Sequence, residues 1–244
     1  MRSLLAPQNR RALRRLARGR ALLAFDFDGT LAPIVADPAR ARLRPRTRRL
    51  LTDLARKYPC VVISGRRRTD VAGSLAGIPL RQVFGNHGIE PSPALTASRR
   101  LVRRWLARLL PRLERMPGII IDNKGATLAI HYRKARNRPA ACKAILAATA
   151  DLDDVRVVSG LLVVDLLPLG APNKATALQS ELRRLGCRSA LYLGDDQTDE
   201  DVFALLRRLP LLAVRVGRRP NSLAPYYLAS QADVDALLAA LLDL

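Results

Sequence analysis

Several short apolar runs punctuate this chain, and most of them stop abruptly at a polar residue. Ala21–Phe25 leads into Asp26, and Cys60–Ile63 leads into Ser64. Residues 190–193 lead into Gly194 and Asp195, and Leu211–Val216 leads into Gly217. Continuous apolar runs of this length suit strands buried on both faces, the habit of a parallel sheet. Pro45–Lys57 and Lys174–Leu185 read as helices between them. The alternation predicts an α/β class, a doubly wound, Rossmann-like parallel sheet. Ligands of such sheets sit beyond the carboxyl ends of the strands, and here polar, reactive residues follow those ends.

The middle of the chain has a different period. Residues 119–122, the turn Asn123-Lys124-Gly125 and residues 126–133 predict an antiparallel hairpin. Within its second strand Leu128, Ile130 and Tyr132 share one face, and Thr127, Ala129, His131 and Arg133 share the other. A helix over 139–150 follows. Residues 155–158 and 161–167, joined at Ser159-Gly160, predict a second hairpin. Residues 92–169 therefore read as an α+β cap inserted into an α/β core formed by 20–91 and 170–244. Residues 1–19 stand before the core as a basic, helical segment.

Composition narrows the class. The chain has 244 residues, 49% of them apolar, so a sizeable core can be buried. No apolar run approaches the roughly 18–20 residues of a membrane span, and Ala21–Phe25 is too short for a signal-peptide core. An Arg-rich, acid-poor start can mimic a transit peptide, but the first strand signal begins directly after it, which favours a leading helix. Cys60, Cys142 and Cys187 are odd in number and far apart. That pattern suits reduced thiols in a cytoplasmic protein and argues against a zinc cluster or a disulfide framework.

Net charge is +21, with 37 Arg against 5 Lys. Aromatics are few, the arginines are scattered, and no zinc-finger or RNP pattern appears, so no dedicated nucleic-acid partner is expected. Steering of an anionic substrate and a general preference for arginine codons both remain open as causes of the excess.

Against this positive background, the acidic residues stand out. Phe25-Asp26-Phe27-Asp28-Gly29-Thr30 places two carboxylates directly after a buried strand, where they need a cation or hydrogen bonds. An Asx-turn with Gly29 enabling the bend is the plainer reading. Ser64-Gly65-Arg66 offers a hydroxyl and N–H groups at a helix start, a setting that can hold phosphate oxygens or form an ordinary turn. Lys174 precedes a helix, where it neutralises an anion or is solvated. Five acids lie within seven positions at Asp195, Asp196, Asp199, Glu200 and Asp201. Such a cluster suits a hard divalent cation such as Mg2+, although acids also favour helix starts. Together these groups can form an aspartyl phosphate: a carboxylate nucleophile, a cation to offset repulsion, a second carboxylate as acid and base, and a lysine and hydroxyl on the phosphoryl oxygens.

At this point the chain resembles the haloacid-dehalogenase superfamily of phosphohydrolases, whose four motifs appear in order as DFDGT, SGR, the lysine of PNKA and GDDQTDEDVF. Within it the chain is similar to the trehalose-6-phosphate phosphatase family, through DFDGTLAPI, GNHGIE, DNKGATLAIHYR and GDDQTDEDVF. The resemblance covers roughly residues 20–242. It implies Asp26 as nucleophile and Mg2+ ligand, and Asp28 as general acid and base that offers its carbonyl to the metal. It implies Ser64 and Lys174, with Gly65 and Arg66, at the phosphate. Asp195 would complete the metal site, supported by Asp196 and Asp199. His87, Glu90, Lys124, His131, Arg133 and Asp165 would face the sugar. The partner implied is a small-molecule sugar phosphate, and a monomer is expected.

Departures from the family pattern fall in the last cap strand, where Asp165, Leu167 and Pro168 stand for the usual Glu, Arg and Pro, and at Ala175, where glycine is usual. They leave the phosphatase motifs intact and bear on the choice of sugar. The alternatives are a related phosphatase for another sugar or glycosyl phosphate, a non-catalytic sugar-phosphate sensor, and a protein that binds anionic polymers.

Overall fold

The computed structural model describes residues 1–17, 19–35 and 40–244; Arg18 of the basic leading segment lies outside them. In chain order the elements are β1 (Arg2–Ser3), α1 (Arg10–Ala17), β2 (Ala21–Phe25), α2 (Pro45–Lys57), β3 (Cys60–Ile63), α3 (Arg68–Ser74) and β4 (Gln82–Phe84). Then come α4 (Leu95–Leu113), β5 (Ile120–Asn123), β6 (Leu128–His131), α5 (Arg138–Thr149), β7 (Val155–Gly160) and β8 (Val163–Pro168). The chain closes with α6 (Lys174–Leu185), β9 (Ser189–Gly194), α7 (Glu200–Phe203), β10 (Leu211–Val216), β11 (Tyr226–Leu228) and α8 (Val234–Leu242).

Two compact units result: Met1–Gly88 with Asn173–Leu244, and Ile89–Pro172. The first holds a parallel sheet in the order β1-β11-β10-β9-β2-β3-β4. Its central strands are buried on both faces, as unbroken apolar runs require. Leu23, Phe25, Val62, Leu191 and Leu193 pack on one side with Leu51 and Leu54 of α2 and Leu237 and Leu238 of α8. Leu22, Ala24, Val61, Ile63 and Tyr192 pack on the other with Leu178 and Leu182 of α6 and Phe203 of α7. Each such buried side chain stabilises by about 1.5–3 kcal/mol, so the strand ends, and the polar residues that follow them, are held by rigid supports.

The basic leading segment, expected to be helical, forms α1 over Arg10–Ala17 and belongs to the core unit. Arg2 and Ser3 pair with Tyr226 and Tyr227 at the sheet edge, and Leu4, Leu13 and Leu16 are buried in the core. Its apolar positions, spaced between the arginines, bind it to the sheet. The units divide three residues outside each expected boundary, and Asn173 goes with the core because it caps α6 through Thr176.

The second unit is an antiparallel sheet in the order β5-β6-β8-β7. Leu128, Ile130, Val164 and Leu166 pack beneath Trp105 and Leu109 of α4 and Ile145 of α5. Two details depart from expectation. The β7–β8 ladder runs on through Ser159↔Val164 and Gly160↔Val163, so the reversal falls on Leu161 and Leu162 rather than on Ser159-Gly160. Strand β6 ends at His131, so Arg133 lies in the following turn, exposed, instead of sharing a strand face with His131. No helix among the described residues is long and apolar enough to cross a membrane.

Candidate active site

Asp26 is the first residue after β2 and is only 4% exposed. Its N–H donates to Leu193 O at 2.8 Å, which fixes it between β2 and β9. The chain then turns back, with Gly29 N–H on Ala32 O and Ala32 N–H on Phe27 O, both at 2.8 Å. Gly29 has φ 74, and a Cβ there would stand 2.2 Å from Asp195 Oδ2. Glycine thus serves both the turn and the close approach of the second acidic loop.

Lys174, the first residue of α6, is 2% exposed and reaches Asp26 Oδ1 at 3.0 Å and Asp199 Oδ1 at 2.8 Å. Asp199, fully buried, also accepts from Tyr192 Oη at 2.7 Å and from Asp196 N–H at 2.8 Å. Asp199 is therefore a positioning group that aims the ammonium at Asp26. Burial disfavours the Lys174 ammonium, but Asp199 and Asp26 outweigh it and raise the pKa, so the lysine stays charged.

Oxygens of Asp26, Asp195 and Asp199 all lie within 4.8 Å of one another. Burial pushes the Asp26 carboxyl well above its ordinary 3.8 despite Lys174, and Asp199 and Asp195 add to the rise. Asp195, whose Oδ1 accepts from Thr30 Oγ1 at 3.2 Å, is pushed up to about 7 by burial and then by Asp199. Three hard oxygen donors, two of them held in a setting that disfavours their charge, fit a divalent cation of the Mg2+ type. Asp196 contributes its N–H to Asp199 and is not one of those three carboxylates.

Asp28 forms a two-pronged pair with Arg66, Nε to Oδ2 and Nη2 to Oδ1, both at 2.6 Å. The guanidinium also lies over the Phe27 ring, 5.3 Å from its centre. Arg66 was expected at the phosphate; here it holds the carboxylate expected to act as acid and base. Ser64 is 1% exposed, and its Oγ accepts from Arg66 N–H at 3.2 Å. His87, in a left-handed turn (φ 59), packs its imidazole against Gly65, where a Cβ would stand 2.6 Å from His87 Cε1. His87 thus belongs to the core unit, beside the Ser64 loop.

The second unit collects a separate polar group. Lys124 Nζ lies 3.5 Å from Asp165 Oδ1, with both side chains largely buried. Asp165 pairs across the sheet with Ala129, two residues from His131. Burial, then Lys124, hold His131 below its ordinary pKa against Asp165 and Asp122, so its imidazole is neutral at pH 7. Leu167, standing where the family pattern has arginine, is 4% exposed. Glu90 is partly buried at the start of this unit and precedes a cis bond to Pro91. Arg133, exposed in the turn after β6, adds its charge to those that lower the His131 pKa.

Three residues that sequence reasoning did not single out serve the site: Thr30, Tyr192 and Arg215. Tyr192 was hidden as one more member of an apolar run. Arg215, 2% exposed, reaches the backbone of Asp195 and Asp196 from β10. Its signal was present in the sequence, as a lone charge inside Leu211–Val216.

The profile of the Trehalose-phosphatase family matches residues 24–231. The trehalose-phosphate phosphatase of Mycobacterium avium is 35% identical over 212 residues, 81% of this chain and 54% of the relative. Trehalose-phosphate phosphatase B of Arabidopsis thaliana is 26% identical over 258 residues, 93% of this chain and 68% of the relative. This chain spans about half the length of the mycobacterial relatives it matches. The solved C-terminal domain of the C. albicans trehalose-6-phosphate phosphatase shares the fold, with a TM-score of 0.79 at 22% identity over 100% of this chain and 98% of that one. The profile takes in the loop of Asp26, the whole second unit and the acidic loop through Asp199, and the chain belongs to the trehalose-phosphatase family.

Proposed function

We propose that this chain is an Mg2+-dependent phosphatase that hydrolyses trehalose 6-phosphate to trehalose and phosphate. The observation that carries the reading is the buried line Asp26–Lys174–Asp199 at a strand end, with Asp195 beside it. Asp26 Oδ attacks phosphorus, displaces the sugar alkoxide and becomes an aspartyl phosphate. Asp28 protonates the leaving oxygen, and its carboxylate then takes a proton from the water that cleaves the intermediate. Arg66 holds Asp28 in place in the free enzyme and must share its donors with the incoming phosphate. Lys174 and the Ser64 hydroxyl hold the phosphoryl oxygens. Mg2+, held by Asp26, Asp195 and the Asp28 carbonyl, with Asp196 and Asp199 supporting, would offset the repulsion between carboxylate and phosphate.

Lys124, His131 and Asp165 are proposed to recognise the sugar, together with Glu90 and His87. Arg133, exposed in the turn after β6 and near enough for its charge to lower the His131 pKa, is proposed to join them from the rim. The three free thiols support a cytoplasmic setting, and the enzyme is taken to act as a monomer on a small molecule. Buried Leu167 favours one alternative, a different glycosyl phosphate, since no guanidinium is offered there. The test is phosphate release from trehalose 6-phosphate, glucose 6-phosphate and another disaccharide phosphate, each with Mg2+ and with EDTA. Preference for a substrate other than trehalose 6-phosphate, or turnover in EDTA, would overturn the assignment.

A further inference from the structure

Arg215 is the one charged residue in strand β10, and an arginine is rarely buried unless its donors are satisfied. It is the cross-strand partner of Gly194, the last residue of β9. From there its side chain passes over the end of the neighbouring strand. Nη2 donates to the Asp195 carbonyl, and Nη1 donates to the Asp196 carbonyl at 3.2 Å and to Glu200 Oε1 at 2.8 Å. The other oxygen of Glu200 accepts from Leu223 N–H at 2.8 Å. The acidic loop is thus gripped from two sides. Arg215 takes the carbonyls of residues 195 and 196, and Asp199 takes the N–H of residue 196.

Those peptide planes set the direction in which the Asp195 side chain leaves the backbone. Glu200 matches the guanidinium charge, so the clamp adds no net repulsion toward a nearby cation. We propose that Arg215 is a positioning residue for the divalent-cation site, fixing the Asp195–Asp196 backbone so that the Asp195 carboxylate is already aimed at the ion. The inference rests on the reading of Asp195 as a metal ligand.

Calorimetric Mg2+ titration of wild type, Arg215→Met and Arg215→Lys tests it, together with the rise in unfolding midpoint that Mg2+ produces in each. Groups that orient metal ligands typically change affinity by about 10–100-fold, and Arg215→Met should weaken Mg2+ binding by that factor. Turnover at saturating Mg2+ should stay within a few-fold of wild type. Arg215→Lys keeps the charge opposite Glu200 but cannot span two carbonyls, so it should fall between the two. Wild-type Mg2+ affinity in a folded Arg215→Met overturns the proposal, as does lost turnover with unchanged affinity. If the Met variant does not fold, the Lys variant decides by the same criterion. A wild type that binds no Mg2+ overturns the metal reading, and this inference with it. Binding by wild type that the variants match overturns the Arg215 role alone.

Discussion

Replacing Asp195 by Asn should stabilise the metal-free protein while it disables the enzyme. Asp195 is held next to buried Asp199, with its carboxyl pushed from 3.8 up to about 7. Below 3.8 the group is protonated in folded and unfolded chains alike, and it has no effect on stability. Between 3.8 and 7 the unfolded chain ionises first, so folding stability falls as pH rises, and above 7 the full penalty is present. At 1.36 kcal/mol per pH unit the penalty is about 2 kcal/mol at about pH 5 and about 4 kcal/mol at about pH 8, less what solvent at this partly buried site screens. Asn keeps the shape and an oxygen for the Thr30 hydroxyl but cannot ionise.

Urea unfolding in EDTA measures the difference directly. The variant should be more stable than wild type at both pH values, and the gap should widen by about 2 kcal/mol between about pH 5 and about pH 8. Mg2+ should close the gap, because it binds the folded wild type and stabilises it by mass action. A variant no more stable than wild type at about pH 8 in EDTA would refute the electrostatic account of this site.

Asp26→Asn should lower phosphate release by at least about a thousandfold, since nucleophile and metal ligand are lost together; robust activity would remove Asp26 from the mechanism. Lys174→Met leaves two buried carboxylates facing each other and should cost about 3–5 kcal/mol in metal-free stability, read by urea unfolding. Lys124→Ala or His131→Ala should each cost about 1–3 kcal/mol in kcat/KM for trehalose 6-phosphate yet leave a small aryl phosphate nearly unaffected. Equal losses on both substrates would assign those residues to folding. If the +21 charge steers substrate, kcat/KM should fall with salt while kcat holds, and a flat profile would remove that role.

The sequence was most legible where one physical requirement dominates a segment. Strands β2, β3, β9 and β10 are buried on both faces, so their apolar runs predict their positions, and Asp26, Ser64 and the acidic loop come directly after the first three. The Asp26 loop and the acidic loop were legible for that reason. Arg2 and Ser3 were not, because a two-residue edge strand has no period to read. Nor was Arg133, since its place depends on β6 stopping at His131, and alternation alone does not mark an end. Arg66 shows a further limit. Its place beside Ser64 was readable from Ser-Gly-Arg, but its partner Asp28 lies 38 positions away and only the fold brings them to 2.6 Å. Tyr192 and Arg215 act through buried hydrogen bonds made from within apolar strands, where a polar atom passes unnoticed unless each exception to the run is questioned.

The charges around Asp26 explain why a basic protein concentrates acid at one point. Arg66 offsets Asp28, and Arg215 offsets Glu200. Within the cluster of three carboxylates that leaves Asp26, Asp195 and Asp199 against Lys174, three negative charges against one positive, with Asp196 adding to the negative side from next to it. If all three carboxylates ionise, an excess of two negative charges sits in a buried site, and the raised pKa values of Asp26 and Asp195 are how the metal-free protein avoids it. A phosphate dianion arriving there would double the excess, so substrate binding and nucleophile ionisation oppose each other. One divalent cation would remove the conflict: Asp26 could then ionise, and Lys174 would be left to meet the phosphate. Phosphate and Mg2+ should therefore bind with positive coupling. In calorimetry, the affinity for inorganic phosphate should rise at least about tenfold when Mg2+ is present. By the same linkage Mg2+ should bind tighter with phosphate present. Phosphate binding that is indifferent to Mg2+ would mean that Lys174 and the Ser64 loop hold the anion on their own, and the charge argument would fail.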